Sequence, residues 1–138
     1  MKLFILFLAT FVIQQSSCYL QIENKSFHWN GKKIYLNGVN IAWRNEGGKF
    51  SRDWGNGEYF KSKDKFNEWL DGIHQNGGNA ARVWLHFQGE ISPKFNNQGF
   101  VSGTDDQGSL IKEMGAFLDE AAKRDIFIIF TLWNGKLI

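Results

Sequence analysis

The sequence predicts an α/β fold with a parallel sheet, and three observations carry that prediction. A hairpin is followed in order by strand, helix, strand, helix and strand, an alternation that implies right-handed crossovers between parallel strands. The last strand, Ile126-Phe127-Ile128-Ile129-Phe130, is apolar at every residue, as strands covered on both faces are. Two long loops, Arg44 to Ser62 and Gln88 to Gly103, follow strand ends, whereas the returns from helix to strand are short. In α/β folds that layout puts the function-bearing loops at the carboxyl ends of the strands.

The first eighteen residues stand apart from this pattern. Met1 and Lys2 give a short positive start, Leu3 to Ile13 are apolar except for Thr10, and Gln14 to Cys18 turn polar and small. That is the three-part layout of a secretory signal peptide, with cleavage expected after Cys18, and the alternative is a buried first helix. The apolar run is too short to span a membrane, which takes roughly 20 residues. Cleavage would remove the only cysteine, so the exported chain would fold on packing alone, without disulfides. An extracellular location is expected, and Asn24-Lys25-Ser26 is a candidate glycosylation site near the new N-terminus.

Beyond the leader, Phe27-His28-Trp29 and Lys33-Ile34-Tyr35-Leu36 flank Asn30-Gly31, a pair suited to the positive φ of both residues in a tight hairpin turn. A second Asn-Gly, Asn37-Gly38, leads into the short strand Val39 to Trp43. Phe66, Trp69, Leu70 and Ile73 lie at i, i+3, i+4 and i+7, one face of a helix that Gly77-Gly78 should end. Ala80 to Phe87 is the next strand. Leu110, Ile111, Met114, Phe117, Leu118, Ala121 and Ala122 form the apolar stripe of a second helix, with Asp105 and Asp106 near its start and Lys123 and Arg124 at its end.

Composition narrows the classes of function. The 138 residues carry 16 Lys and Arg against 14 Asp and Glu, scattered and without a basic run, so nucleic acid is not an expected partner. No Gly-rich phosphate loop, no Cys/His metal spacing and no serine elbow is present; Ser92, Ser102 and Ser109 lack that context, and His28, His74 and His86 are too dispersed to form a ligand set. No cofactor or metal is expected. The unusual entry is aromatic, with 13 Phe, 6 Trp and 3 Tyr, enough to fill a core or to line a surface for flat ligands.

Polar chemistry concentrates on one strand. In Ala81-Arg82-Val83-Trp84-Leu85-His86-Phe87 the odd positions make an apolar face, while Arg82, Trp84 and His86 share the other. An Arg and a His enclosed in a barrel need partners, whereas on an edge strand with that face in water they need none. Trp133-Asn134-Gly135 and Trp43-Arg44-Asn45 repeat an aromatic beside an amide or cation at two other strand ends. Sugars offer C–H faces to indoles and hydroxyls to amides, so three such ends suggest a saccharide site, although core filling is the commoner role of any single Trp.

At these residues the sequence resembles glycoside hydrolase family 5. The resemblance is carried by Asn37-Gly38-Val39-Asn40-Ile41-Ala42-Trp43, Ala80-Ala81-Arg82-Val83-Trp84-Leu85-His86 and Phe130-Thr131-Leu132-Trp133-Asn134-Gly135. The segment from Pro93-Lys94-Phe95 to Phe100-Val101-Ser102-Gly103-Thr104-Asp105 is more similar to secreted endo-β-1,4-mannanases of molluscs and other invertebrates. The resemblance implies the N-terminal part of a (β/α)₈ TIM barrel over residues 19–138, about three βα units after a hairpin. It implies retaining hydrolysis of mannan by two glutamates, an acid/base in an Asn-Glu pair after the fourth strand and a nucleophile after the seventh, neither within this chain. By resemblance Arg82 supports the nucleophile, and His86, Trp133 with Asn134, and more loosely Trp43, face the sugar. The enzyme is expected to be a monomer when full length, with a plant or algal mannan as partner and no membrane contact. Lys136-Leu137-Ile138 gives no stop signal, which favours truncation.

An internal catalytic pair is not expected. Glu46 and Glu90 follow strands one and two, but both lie in polar loops with nothing apolar to raise a pKa. The alternatives left open are a secreted non-catalytic carbohydrate-binding protein, a glucan-cleaving, cellulase-type member of the same family, and an unrelated small α/β domain.

Overall fold

The structure, a computed structural model, describes residues 20–42, 53–86 and 91–133. The expected leader, Trp43, Glu46, Glu90 and Asn134 therefore lie outside the described residues. The chain divides into two compact units, Met1–Tyr35 and Leu36–Ile138.

In the first unit, β1 (Gln21–Glu23), β2 (Ser26–Trp29) and β3 (Lys32–Ile34) form an antiparallel sheet in that order. The turn expected at Asn30-Gly31 is present, with φ of 51° and 71° and Trp29 opposite Lys32. A second two-residue turn, Asn24-Lys25, joins β1 to β2 with Glu23 opposite Ser26.

The second unit holds β4 (Gly38–Ile41), α1 (Glu58–Gln75), β5 (Ala80–His86), β6 (Lys94–Phe95), β7 (Val101–Gly103), α2 (Leu110–Ala122) and β8 (Phe127–Trp133). Its main sheet has the order β4-β5-β8, and both pairings are parallel. The alternation read from the sequence is thus the alternation found. β5 is the central strand of the three, so the edge-strand explanation of Arg82 and His86 does not hold among the described residues. Gly38 sits where β4 meets β5 most closely: a Cβ there would fall 1.6 Å from the Ala80 carbonyl oxygen, so no side chain fits without breaking the pairing.

Four sequence expectations need correction. The loop after β4 is shorter than Arg44 to Ser62, because α1 already begins at Glu58. The loop after β5 contains the antiparallel β6–β7 hairpin, whose strands are too short to register as a pattern. The α2 stripe is narrower than expected: Leu110, Phe117 and Ala121 are buried, but Ile111 and Leu118 face solvent. And β8 is not covered on both faces, since Ile129, beside Arg82 on the side away from the helices, is 45% exposed, and β8 is an edge strand of the described sheet.

The core forms where one sheet face meets both helices. Ala81, Val83 and Leu85 of β5 and Ile41 of β4 pack with Phe66, Leu70 and Ile73 of α1 and with Leu110, Phe117 and Ala121 of α2. α1 ends in a Schellman turn: Gly77, at φ 76°, donates to the His74 carbonyl, and the Gly78 N–H returns to that of Ile73 at 2.9 Å. Trp54, within the stretch read as loop, is 1% exposed and stacks on Tyr59 with centroids 5.3 Å apart, against Phe66, Phe117 and Phe130. Much of the aromatic excess is therefore core. The Tyr59 hydroxyl has no hydrogen-bond partner among the described residues, and burial together with the nearby Glu120 carboxylate pushes its pKa up to about 12. Removing that unpaired group costs nothing in hydrogen bonding, so Tyr59→Phe should melt within about 1 kcal/mol of the parent or above it. A clear loss of stability in thermal unfolding would mean the hydroxyl is paired.

Two buried carboxylates organise the helix starts. α1 has Gly57 at its N-cap, in the left-handed region at φ 77°, and so has no cap side chain of its own. Glu113 of α2 supplies one: its carboxylate accepts the N–H groups of Gly55 (3.0 Å), Gly57 (2.7 Å) and Tyr59 (3.0 Å) and the Ser109 hydroxyl (2.6 Å), and it is fully buried. Asp105 caps α2 by accepting the N–H groups of Ser109 and Leu110, and it also takes that of Asn56. Burial favours its neutral form, but the N–H groups of Asn56, Ser109 and Leu110 and the Thr104 hydroxyl outweigh this and hold the carboxyl well below the usual range.

The helices are also joined by ion pairs. Glu120 of α2 meets Lys63 of α1 (2.9 Å), Lys123 and Arg124, and these lower its pKa to about 2. Arg124 reaches Asp71 of α1 at 2.6 Å, and that hydrogen bond lowers the Asp71 pKa. Asp105, Glu120 and Asp71 are each more acidic folded than unfolded. Their contribution is complete above ordinary carboxylate pKa values and is lost as pH falls from about 5 toward 2. Urea midpoints should therefore be highest at about pH 7 to 8 and drop steeply below about pH 4.5. A midpoint unchanged at pH 3 would contradict this.

Candidate functional site

Strand alternation and register assemble the polar face. Asn40 of β4, Arg82 of β5 and Ile129 of β8 are direct cross-strand neighbours, as are Trp84 and Thr131, and His86 and Trp133. Side chains of paired residues share a face, so Asn40, Arg82, Trp84, His86 and Thr131 belong to the side of the sheet opposite the helices. His86 and Trp133, taken from separate sequence segments, are brought to adjacent positions at the carboxyl ends of β5 and β8.

Arg82 is held in place rather than free. Its Nη1 donates to Asn40 Oδ1 at 2.7 Å, and its guanidinium carbon lies 5.3 Å from the centroid of the Trp84 ring. These contacts fix the plane of a cation that is otherwise exposed, leaving donors directed at whatever occupies the face. Asn40 was not singled out from the sequence. The available signal was pairing: once Gly38 is set beside Ala80, Asn40 must face Arg82.

His86 lies in a different environment. It is 9% exposed, and its Nδ1 is 3.0 Å from Ser92 Oγ, which in turn donates to the Trp54 carbonyl at 3.4 Å. Burial lowers the imidazole pKa, against a hydrogen bond to the Ser92 backbone that raises it. A neutral imidazole can donate at one nitrogen and accept at the other, as hydroxyl recognition requires. Ser92 was dismissed as a nucleophile and is instead a positioning partner, one that no local motif announces. Among the described residues no cluster of His, Cys, Asp or Glu could hold a metal ion. Nor is any helix among them long and apolar enough to cross a membrane.

The apolar groove of about 700 Å³ lies elsewhere, along β4 and α1 between Ile41, Trp69 and Ile73, and contains neither Arg82 nor His86. Its lining mixes Val39, Ile41, Trp69 and Ile73 with the polar residues Asn37, Asn40, Glu68 and Asn76. Trp43 and Asn134 lie outside the described residues. Trp133 is placed by its backbone alone.

No family model matches the chain. Among curated proteins it is 39% identical over 122 residues to a mannan endo-1,4-beta-mannosidase of Cryptopygus antarcticus and 43% identical over 118 residues to one of Mytilus edulis. These alignments cover 88% and 86% of this chain but only 31% and 30% of those proteins. Solved structures agree: the β-mannanase of the blue mussel Mytilus edulis matches with TM-score 0.76 at 41% identity, and that of Cryptopygus antarcticus with 0.78 at 39%. Each superposition covers 86% of this chain and 32% of the other. By sequence and by fold, then, this chain is a homologue of the mannan endo-1,4-beta-mannosidases and spans about a third of their length.

Proposed function

We propose that the chain is the substrate-holding part of a secreted, retaining endo-β-1,4-mannanase of glycoside hydrolase family 5, contributing the first strands of a (β/α)₈ barrel. The observation that carries this reading is the ordered polar face of β4, β5 and β8, within a segment 39–43% identical to two endo-mannosidases. The two glutamates of a retaining mechanism, about 5–5.5 Å apart, are assigned to the length of the relatives that this chain does not span.

In that reading the surroundings of Arg82 and His86 support their roles, and the roles of Trp43, Trp133 and Asn134 are what the resemblance implies. Arg82, oriented by Asn40 and Trp84, presents its charge to the nucleophilic carboxylate and keeps it ionised. His86 hydrogen-bonds a sugar hydroxyl, while Trp133 and Trp43 offer indole faces to the C–H surface of mannose and Asn134 its amide. Residues 1–18 direct export and are removed.

Trp133→Ala should weaken binding of manno-oligosaccharides about tenfold, the scale of one aromatic contact, with the fold retained. Titration calorimetry with mannohexaose together with circular dichroism checks this. Unchanged affinity removes Trp133 from the site, and an unfolded variant makes it a core residue.

A further inference from the structure

We propose that Asn24 carries an N-linked oligosaccharide. Asn24-Lys25-Ser26 is the only Asn-X-Ser/Thr triplet in the 138 residues. The fold places it at the tip of the β1–β2 hairpin, with Asn24 and Lys25 as the two turn residues at φ 48° and 61°. Both are exposed, and the Asn24 amide makes no hydrogen bond among the described residues.

Turn chemistry alone accounts for an Asn that tolerates positive φ. It does not call for a hydroxyl two residues later, at the start of β2, where β-branched or aromatic residues pair better. Nor does it call for an idle amide, since an Asn serving only its turn commonly bonds nearby backbone. Surroundings favour a bulky group: Ile22 is 75% exposed and Glu23 is exposed as well, so a glycan displaces no packed atom. β1 is an edge strand of its sheet, and a hydrophilic chain at its end would hinder edge-to-edge pairing.

The donor is a lipid-diphosphate-linked oligosaccharide. A bond forms between Asn24 Nδ2 and the anomeric carbon, the bond from that carbon to the diphosphate oxygen breaks, and the lipid diphosphate leaves with the electron pair. Nδ2 gives up one proton to the transferase.

The inference rests on the secretory reading of residues 1–18, and the experiment separates the two. The full chain is expressed in a eukaryotic secretory host, digested with peptide N-glycosidase and mapped by mass spectrometry. One discrete loss of mass is expected, with Asn24 converted to aspartate. Ser26→Thr should keep the shift. Ser26→Ala should abolish it, and so should Asn24→Asp, which retains a turn-forming residue. Secreted chain that lacks its leader yet has an unmodified Asn24 overturns the glycan and leaves export standing. Intracellular chain that begins at Met1 and has an unmodified Asn24 overturns both.

Discussion

Arg82→Ala should lower kcat by about 10²–10³ and leave KM nearly unchanged, in a full-length enzyme carrying this segment. The reasoning is electrostatic. A guanidinium fixed by Asn40 at 2.7 Å and by the Trp84 ring costs no reorganisation when charge shifts on the nucleophile, so its removal is felt in the transition state. Binding of the sugar, assigned to His86, Trp133 and Trp43, would persist. Arg82→Lys should recover little, because a point charge reproduces neither the planar donor geometry nor the stacking. Asn40→Ala should give a smaller loss of kcat in the same direction, since it frees the guanidinium without deleting it. A purely structural Arg82 would instead lower the melting temperature and leave kcat of the folded fraction intact. Steady-state kinetics on mannan beside thermal unfolding decide between these outcomes.

The second large effect is on stability. Glu113→Ala removes the acceptor for three backbone N–H groups at the start of α1 and for the Ser109 hydroxyl, in a site with no access to water. An orphaned buried donor costs about 1–3 kcal/mol. The Gly55 and Tyr59 N–H groups are orphaned, whereas Gly57 keeps Ser109 Oγ and the Ser109 hydroxyl keeps Asp105, so a loss of about 3 kcal/mol is expected. Glu113→Gln keeps the shape and one acceptor oxygen but presents an NH₂ to donors, and should fall between the two. Urea unfolding of the three proteins at pH 7 checks the order. An alanine variant as stable as the parent would show that the α1 cap is satisfied some other way.

These two residues differ in how much of them the sequence displays. Arg82 was legible because period-two alternation sets it on one face with Trp84 and His86, and strand order needs only local patterning. Glu113 was not: on a helix it reads as a solvent-facing charge between Lys112 and Met114, and its role depends on where the loop from Asp53 to Gly57 passes. The same holds for Trp54, whose glycine-rich neighbours look like loop although the ring fills the core. Apolar spacing located α1 but not its first two turns, because Tyr59 and Ser62, not aliphatic residues, face inward there. Whether β8 would be covered on both sides was beyond local pattern as well, since coverage depends on partners elsewhere in space. The site was partly legible for a related reason: strand ends can be read one at a time, but the pairing of His86 with Trp133 and the Asn40–Arg82 bond exist only in the sheet.

The central claim is that this segment holds mannan for glutamates that it does not itself contain. The most direct test is release of reducing ends from mannohexaose by two proteins: the 138-residue chain, and a chimera in which residues 19–138 replace the matching third of the Mytilus edulis mannanase. The account predicts no hydrolysis by the chain alone and cleavage of internal mannosidic bonds by the chimera, slowed about 10²–10³-fold by Arg82→Ala. Hydrolysis by the chain alone would contradict the claim, as would a folded chimera that neither cleaves nor binds mannohexaose.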